Sequence, residues 1–275
     1  MSRRSSALRA VPDTPDGRVA QPGRATGGDS LSRMLSVLDL LSAEQPTCTA
    51  VEVGEALGCS RTTSYRYLKT LTDAGLLAPQ PGGRFSLGAR IIELDRQIRL
   101  SDPLLVAAEP QMRSLSTELN LNAFVCSYYK DAVVCIAQAA PLGPWRTSWG
   151  RGKPMPLMRG AAGKVILAHL PTNTLKNLAL SRPDDLRAAK LGETWEEFRA
   201  HLRHIRRAGF ALTVAEVDPE TAGLAAPLFD ADGRILGSLT LSIPVEMVDD
   251  GELSPFSEPL IRAAEAITDS LAEVP

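Results

Sequence analysis

The stretch TAVEVGEALGCSRTTSYRYLKTLTDAGLLAPQPGGRFSLG, residues 49–88, decides the fold of the amino-terminal part of the chain. Thr49 is placed to cap a first helix that Gly58 ends. Ser60 is placed to cap a second helix, which runs from about residue 61 to 74. A glycine stops that helix, and two short strands follow, joined by a Pro-Gly-Gly turn. Helix, corner, helix and hairpin in this order predict a winged helix-turn-helix.

The second helix of this stretch has an apolar side and a polar side. Tyr67, Leu68 and Leu71 recur at helical spacing, and we expect them to face inward. The other positions carry hydroxyls and cations, which suit the base edges and phosphates of a DNA major groove. Arg84 stands beside the hairpin tip, where a basic side chain can reach a minor groove or a phosphate. The predicted DNA-binding residues are Ser60, Arg61, Thr62, Thr63, Tyr65, Arg66, Lys69 and Arg84.

The amino-acid composition is typical of a globular protein. The 275 residues are 44% hydrophobic and 23% charged with a net charge of −2, as in a globular protein of one or two domains. A net charge near zero is compatible with DNA binding, because only the contact face needs to be basic. No apolar run resembles a membrane span or a signal peptide, so we expect a cytoplasmic protein with no membrane partner.

The four cysteines form no CxxC pair and show no regular spacing. This pattern favours buried thiols over a zinc cluster or a disulfide framework. His201 and His204 are three residues apart, but they lie among arginines and are better explained as part of a solvated basic helix face. The sequence therefore indicates no metal site and no cofactor.

The chain divides by composition into four parts. Residues 1–28 are rich in Pro, Gly, Ser, Ala and Arg and are expected to form a disordered tail. Residues 29–88 form the predicted winged helix-turn-helix, and residues 89–102 form a linker helix with an apolar stripe that helps dimerisation. Residues 103–275 mix strands and helices without a βαβ repeat, which predicts an α+β sensor-like domain. A helix beginning at Ser30 is expected to pack apolar positions on the core of the first domain: Leu31, Met34, Leu35, Leu38 and Leu41.

The second predicted domain begins with a helix over 104–119, with a possible break at Pro110. Its predicted strands are 122–129, 132–139, 145–149, 210–217, 223–229 and 235–243. Its further predicted helices are 161–169, 193–209 and 255–271. Trp145 and Trp149 are expected on one face of their strand, either in the core or at the wall of a larger pocket.

Five segments resemble those of one known family and occur in the same order. They are SRTTSYRYLKTLTDAGLL, FSLGARIIEL, GKPMPLMRGAAGKVILA, RRAGFALTVAE and GLAAPLFDADGRILGSLTLSIP. With them the chain resembles an IclR-type transcriptional regulator over nearly everything from about residue 30 to 272. The resemblance implies a winged helix-turn-helix, a linker helix and a C-terminal GAF-like domain that binds a small effector. It also implies a homodimer or dimer of dimers on partly palindromic, double-stranded DNA operators.

The resemblance further implies a pocket for a small effector. The implied effector-binding residues are Thr147, Met155, Ala161, Ala162, Thr213, Gly223, Thr240 and Ser242. The amides of Ala161 and Ala162 lie at a helix N-terminus, which suits a carboxylate on the ligand. Thr240 and Ser242 lie two residues apart on one strand face, where their hydroxyls can bond the same ligand. Some members have a carboxylate and a thiol where this chain has Thr213 and Gly223, which disfavours a very small keto acid.

Two classes of function remain open at this point. The first is a ligand-responsive transcription factor. The second is an enzyme that transforms a small acid in its C-terminal domain and uses the winged helix only to bind proteins. No GxSxG elbow and no cysteine-histidine pair is visible. GAAGK is not a phosphate loop, because Met158 replaces its first glycine and Val165 its final hydroxyl residue. These absences favour the transcription factor.

Overall fold

A computed structural model of the chain describes residues 29–129, 132–141, 149–248 and 253–273. They form two compact units that join in sequence between Asp102 and Pro103. The predicted disordered tail, residues 1–28, lies outside the described residues. No helix in the described ranges is long and apolar enough to cross a membrane.

The first unit combines four helices with a small antiparallel sheet. Its elements are α1 (Ser30–Leu35), β1 (Cys48–Thr49), α2 (Ala50–Leu57), α3 (Arg61–Asp73), β2 (Leu77–Gln80), β3 (Arg84–Leu87) and α4 (Arg90–Ser101). The strand order is β1-β3-β2. The turn between β2 and β3 requires glycine at position 82, where φ is 76°. Val53, Leu68 and Leu71 are buried in the core between the two middle helices and the sheet. The predicted winged helix-turn-helix is therefore present.

The first helix differs from its prediction. It ends at Leu35, and a single tighter turn over Leu38–Leu40 follows. This change of pitch brings Val37 into the core and leaves Leu31 and Leu35 63% and 52% exposed. The expectation that Leu31 and Leu35 pack inward was wrong, because α1 buries none of its residues and the fully buried contact with the core is made by Val37, beyond the end of the helix.

The second unit is a six-stranded antiparallel sheet with helices on both faces. Its elements are α5 (Pro103–Leu119), β4 (Asn122–Tyr129), β5 (Ala132–Ala139), β6 (Pro154–Met155), α6 (Gly160–His169), α7 (Thr172–Ser181), α8 (Pro183–Ala188), α9 (Trp195–Ala208), β7 (Ala211–Val214), β8 (Thr221–Phe229), β9 (Ile235–Pro244) and α10 (Ser254–Ala272). The strand order is β6-β5-β4-β9-β8-β7, and each neighbouring pair is antiparallel.

Alternation along the strands divides the apolar residues of the second unit into two cores. On β4, Val125 packs towards α5 and α10, whereas Phe124 packs towards α6 and the helices that follow it. On β9, Leu241 belongs to the first of these cores. Thr240 and Ser242 therefore lie on the opposite face of β9, the face that carries α6.

Several details of the second unit differ from the sequence predictions. Helix α5 continues through Pro110, which is exposed, so the carbonyl that loses its partner faces solvent. The short elements β6, α7 and α8 were not predicted. Trp149 lies outside any strand, and the rest of the predicted strand at 145–149 lies outside the described residues.

Candidate functional site

The corner between α2 and α3 is built by local hydrogen bonds. The Ser60 hydroxyl accepts a hydrogen bond from the amide of Thr63 at 3.2 Å and so caps α3. The buried Ser64 hydroxyl donates to the Ser60 carbonyl at 3.2 Å. Gly58 ends α2 in the left-handed region, with φ 62°. These contacts fix the start of α3 on the body of the first unit.

One face of α3 is polar, exposed and positively charged. Its members are Arg61, Thr62, Tyr65, Arg66 and Lys69, which recur at helical spacings. Thr63 beside them is half-buried. Neither the two arginines nor the lysine makes an ion pair with any residue that the structure describes, and Arg61 lies 5.7 Å from the centre of the Tyr65 ring. The face thus offers three uncompensated cations and several hydroxyls to an anionic partner.

Arg84 lies differently from the expectation of a side chain extended from the wing. Its Nε donates to the Thr47 hydroxyl at 2.6 Å, and a terminal nitrogen donates to the Thr47 carbonyl at 3.1 Å. The same guanidinium is 3.8 Å from the Glu52 carboxylate. These contacts hold the Arg84 side chain against the base of the wing, so a contact with DNA would have to compete with them.

The second unit contains a cavity of about 50 Å³ between the start of α6 and strands β7, β8 and β9. The structure brings to its wall seven of the eight predicted effector positions: Met155, Ala161, Ala162, Thr213, Gly223, Thr240 and Ser242. Thr147 lies outside the described residues. That these residues bind an effector stays a prediction.

Glycines let α6 approach the sheet and keep the cavity open. A methyl group on Gly223 would lie 3.3 Å from the Ala161 side chain and 3.3 Å from the Thr213 hydroxyl. Gly160 begins α6 with φ 76°, and a side chain there would come within 2.8 Å of Val217. The absence of these side chains leaves the amino end of α6 open to the cavity.

Two buried threonines contribute polar groups to the cavity wall. Thr240 is 6% exposed, and its hydroxyl is 3.3 Å from the Ser238 hydroxyl. Thr213 is also 6% exposed, and its hydroxyl has no hydrogen-bond partner among the residues that the structure describes. A hydroxyl at the cavity wall can donate a hydrogen bond to a polar ligand atom or accept one from it.

Free thiols lie behind the cavity wall. The Cys126 thiol donates to the Met155 sulfur at 3.3 Å, and the Cys135 thiol donates to the Ala137 carbonyl at 3.3 Å. Hydrogen bonding with the neighbouring Cys135, in which Cys126 keeps its proton, together with burial raises the pKa of the Cys126 thiol. Cys126 is therefore a neutral packing residue at neutral pH.

An ion pair at the start of α6 was missed by the sequence reasoning. The Lys164 ammonium lies 2.5 Å from one Glu216 carboxylate oxygen, and the Gly160 amide donates to the other oxygen at 3.0 Å. The Arg159 guanidinium donates to the main-chain carbonyl of Glu216 at 2.5 Å. The one available signal was Lys164 itself, a charged residue in an otherwise apolar helix, which needs a partner when buried.

Profiles of one known protein family match both units. The profile for the IclR helix-turn-helix domain matches residues 30–81, and the profile for the C-terminal domain of bacterial IclR transcriptional regulators matches residues 100–269. The chain belongs to the IclR family. It is therefore a DNA-binding transcriptional regulator with an effector-binding domain, not an enzyme, and the predicted α+β fold with an N-terminal winged helix-turn-helix is confirmed.

Individual relatives are distant. The chain is 27% identical over 248 residues to the HTH-type transcriptional regulator KdgR of Dickeya chrysanthemi, covering 88% of this chain and 81% of that protein. An IclR-type regulator from a Silicibacter species has the same fold, with a TM-score of 0.75, 20% identity and coverage of 89% and 96%. An IclR homologue from Microbacterium hydrocarbonoxydans, crystallised with 4-hydroxybenzoate, gives a TM-score of 0.70, 19% identity and coverage of 88% and 99%. The last two likenesses concern the fold alone.

Proposed function

We propose that the chain binds a palindromic operator as a homodimer or dimer of dimers, and that a small carboxylate-bearing effector in the cavity controls its operator affinity. In this proposal residues 29–88 are the DNA-binding domain, 89–102 the linker helix and 103–275 the effector-binding domain. The observation that carries it is the uncompensated positive face of α3 within a helix-turn-helix.

The α3 face supports insertion into a DNA major groove. Arg61, Arg66 and Lys69 supply donors for phosphates and base edges, and the hydroxyl of Thr62 and the ring of Tyr65 lie between them. Ser60, Thr63 and Arg84 belong to the proposed interface less directly, because their side chains already bond within the unit.

Exposed apolar side chains on α4 support self-association. Ile92, Ile98 and Leu100 are 74%, 49% and 64% exposed, and such a set on one helix favours packing against a second copy. A two-fold dimer would present two α3 helices to successive half-sites of a palindrome. Sedimentation of the full chain tests this step: an exclusive monomer at the concentrations that bind DNA would contradict it.

Replacing Arg66 by alanine tests the DNA contact. The change removes a cation from the centre of the α3 face, so we expect a loss of about 1–3 kcal/mol in operator affinity for a base contact, or a smaller loss and a shallower salt dependence for a phosphate contact. The measurement is a titration of labelled duplex from the region upstream of the chain's own gene, at several salt concentrations. Arg207→Ala is the control, because Arg207 is an exposed arginine on α9 and the charge change is the same. Equal curves for the two variants would contradict the proposed interface.

The proposed effector is a small acid. The cavity offers the amino end of α6 and the hydroxyls of Thr213, Thr240 and Ser242, a set that suits a carboxylate with one further polar group. The Microbacterium hydrocarbonoxydans homologue was crystallised with 4-hydroxybenzoate, which has this chemistry. Effector binding would favour one arrangement of the regulator over another and so change its fit to the operator.

Replacing Ser242 by leucine tests the effector site. The larger apolar side chain would fill part of a small cavity, so we expect the response to small acids to disappear while operator binding without ligand is unchanged. A thermal-shift screen of small carboxylic and aromatic acids identifies the ligand, and duplex binding is then measured with and without it. Ser181→Leu is the control, since Ser181 is exposed at the end of α7. An unchanged dose-response curve for Ser242→Leu would contradict the proposal that the effector binds in this cavity.

A further inference from the structure

We propose that Cys126 and Cys135 form a reversible disulfide when the protein meets a peroxide, so that this pair is a covalent modification site of the second unit. Both cysteines are free thiols in the structure, and they lie on the neighbouring strands β4 and β5. The proposal goes beyond the proposed function, because it depends on neither an operator nor an effector and is tested without them.

The backbone places the two thiols directly opposite each other. Cys126 and Cys135 are Cα partners in the antiparallel ladder of β4 and β5, on the hairpin side of its register shift. The Cys135 amide donates to the Lys153 carbonyl, and the Cys135 carbonyl accepts from the Gly152 amide, on the side of β5 that faces away from β4. The pair therefore occupies a non-hydrogen-bonded position, where Cα atoms are about 4.5 Å apart. A disulfide joins Cα atoms that are about 4.4–6.8 Å apart, so it can link this pair without separating the strands.

The two side chains share one face of the sheet and interact. Both belong to the buried core on the α6 side. Hydrogen bonding from Cys126, supported by the positive charge of Arg151, lowers the pKa of the Cys135 thiol, whereas the pKa of Cys126 is raised. Cys135 is therefore the member that forms a thiolate, which is the form of cysteine that attacks a peroxide. Cys126 keeps its proton and is placed to attack the oxidised Cys135 in turn.

A small oxidant can approach the pair from the cavity. The Cys126 sulfur is 3.3 Å from the Met155 sulfur, and the Met155 side chain lines the cavity of about 50 Å³. Hydrogen peroxide is neutral and little larger than water, so a space that holds a few water molecules admits it. The flexible methionine side chain can shift to let it pass. Cys126 and Cys135 are both 0% exposed, so a bulky oxidant has no comparable route.

The reaction takes two steps. The Cys135 thiolate attacks one peroxide oxygen: a sulfur–oxygen bond forms, the oxygen–oxygen bond breaks, and the departing hydroxide takes up the proton that Cys135 had released. The Cys126 sulfur then attacks the Cys135 sulfur: the disulfide forms, the sulfur–oxygen bond breaks, and the second hydroxide leaves with the Cys126 proton as water. The two sulfurs lose two electrons, and the peroxide is reduced to two water molecules. A dithiol reductant reverses the change by thiol–disulfide exchange.

Peptide mapping of the native full chain tests the proposal. The protein is treated with hydrogen peroxide, its remaining thiols are alkylated, and it is digested with trypsin. Trypsin cuts after Lys130, between the two cysteines, so a disulfide is needed to hold peptides 114–130 and 131–146 together. We expect the linked peptides from most chains, and their separation by dithiothreitol. If a peroxide dose that fully oxidises an equal concentration of free cysteine yields no linked peptides, or yields them only from protein unfolded in urea, the proposal is overturned.

Matched variants test the order of the two steps. Cys48→Ala/Cys59→Ala changes the two cysteines of the first unit and should form the link to the same extent as the wild type. Cys126→Ala should stop at the sulfenic acid of Cys135, which dimedone traps when the oxidised protein is unfolded. Cys135→Ala should give little adduct on Cys126. Adduct on Cys126 but not on Cys135, or loss of the link in Cys48→Ala/Cys59→Ala, would contradict the proposal. If a variant fails to fold, the peptide map of the wild type decides by itself.

Discussion

Replacing Lys164 by methionine and Glu216 by glutamine, singly and together, measures how strongly the ion pair at the start of α6 stabilises the second unit. The pair is close, at 2.5 Å, and the ammonium side is 5% exposed. Removing one member of a buried pair costs about 3–5 kcal/mol when the other member is left without a partner. The two single changes should not cost the same, because the two side chains differ in exposure.

Glu216→Gln leaves the Lys164 ammonium buried with neutral oxygen acceptors only, the Ala189 carbonyl among them, so we expect a loss of about 3 kcal/mol in the free energy of unfolding. Lys164→Met leaves a carboxylate that is 27% exposed and keeps the Gly160 amide, so the expected loss is smaller, about 1–2 kcal/mol. The double variant should cost about 2 kcal/mol less than the sum, because no unpaired charge remains.

Urea unfolding followed by tryptophan fluorescence measures the free energy of unfolding of the second unit, since all three tryptophans fall after residue 102 in the sequence. Asp184→Asn and Arg187→Met provide a control cycle on an exposed pair at 3.0 Å, with an expected coupling below about 0.5 kcal/mol. Additivity of the Lys164 and Glu216 changes within about 0.5 kcal/mol, or a larger cost for Lys164→Met than for Glu216→Gln, would refute the reasoning.

Three further changes test other parts of the structure. Ser60→Ala removes the cap of α3, so circular-dichroism melting should reveal a loss of about 1 kcal/mol in the first unit; no loss would contradict the capping role. Gly163→Ala places a methyl group against the main-chain carbonyl oxygens of Pro156 and Leu157, so urea unfolding should show a cost of about 1–3 kcal/mol, and a neutral result would mean that α6 moves freely. Burial lowers the pKa of His169 from 6.5 to about 4, so the unfolded chain binds a proton first and stability should fall as the pH drops from 6.5 towards 4. His169→Phe, which can keep the edge contact with Phe229, should flatten that part of the pH profile; an unchanged profile would assign the proton uptake to other groups.

Local signals made the helix-turn-helix predictable. The caps at Thr49 and Ser60, the left-handed glycine at position 58 and the Pro-Gly-Gly turn each act within a few residues, and each is visible in the sequence. The paired strands of the second unit were predictable for a related reason, because β9 alternates hydroxyl residues with leucine and isoleucine from Ser238 to Ile243, a period of two that is visible in the sequence although both faces of the strand are buried.

Interactions between distant residues could not be predicted in the same way. Lys164 and Glu216 are 52 positions apart, and the sequence around either residue does not indicate the other as its partner. The elements α7 and α8 bury only three leucines between them, so their apolar pattern is weak. The family resemblance located the effector cavity, whereas the carboxylate already occupying the end of α6 became visible only when the chain was folded.

Hydrogen exchange of the full chain, alone, with the upstream duplex, and with the acid found in the thermal-shift screen, tests the central claim most directly. The account predicts that duplex slows exchange of amides in residues 60–69, and that the acid slows exchange in 159–164 and 213–223. Unchanged exchange in residues 60–69 at a duplex concentration that saturates binding would contradict it, because DNA would then be held by some other surface.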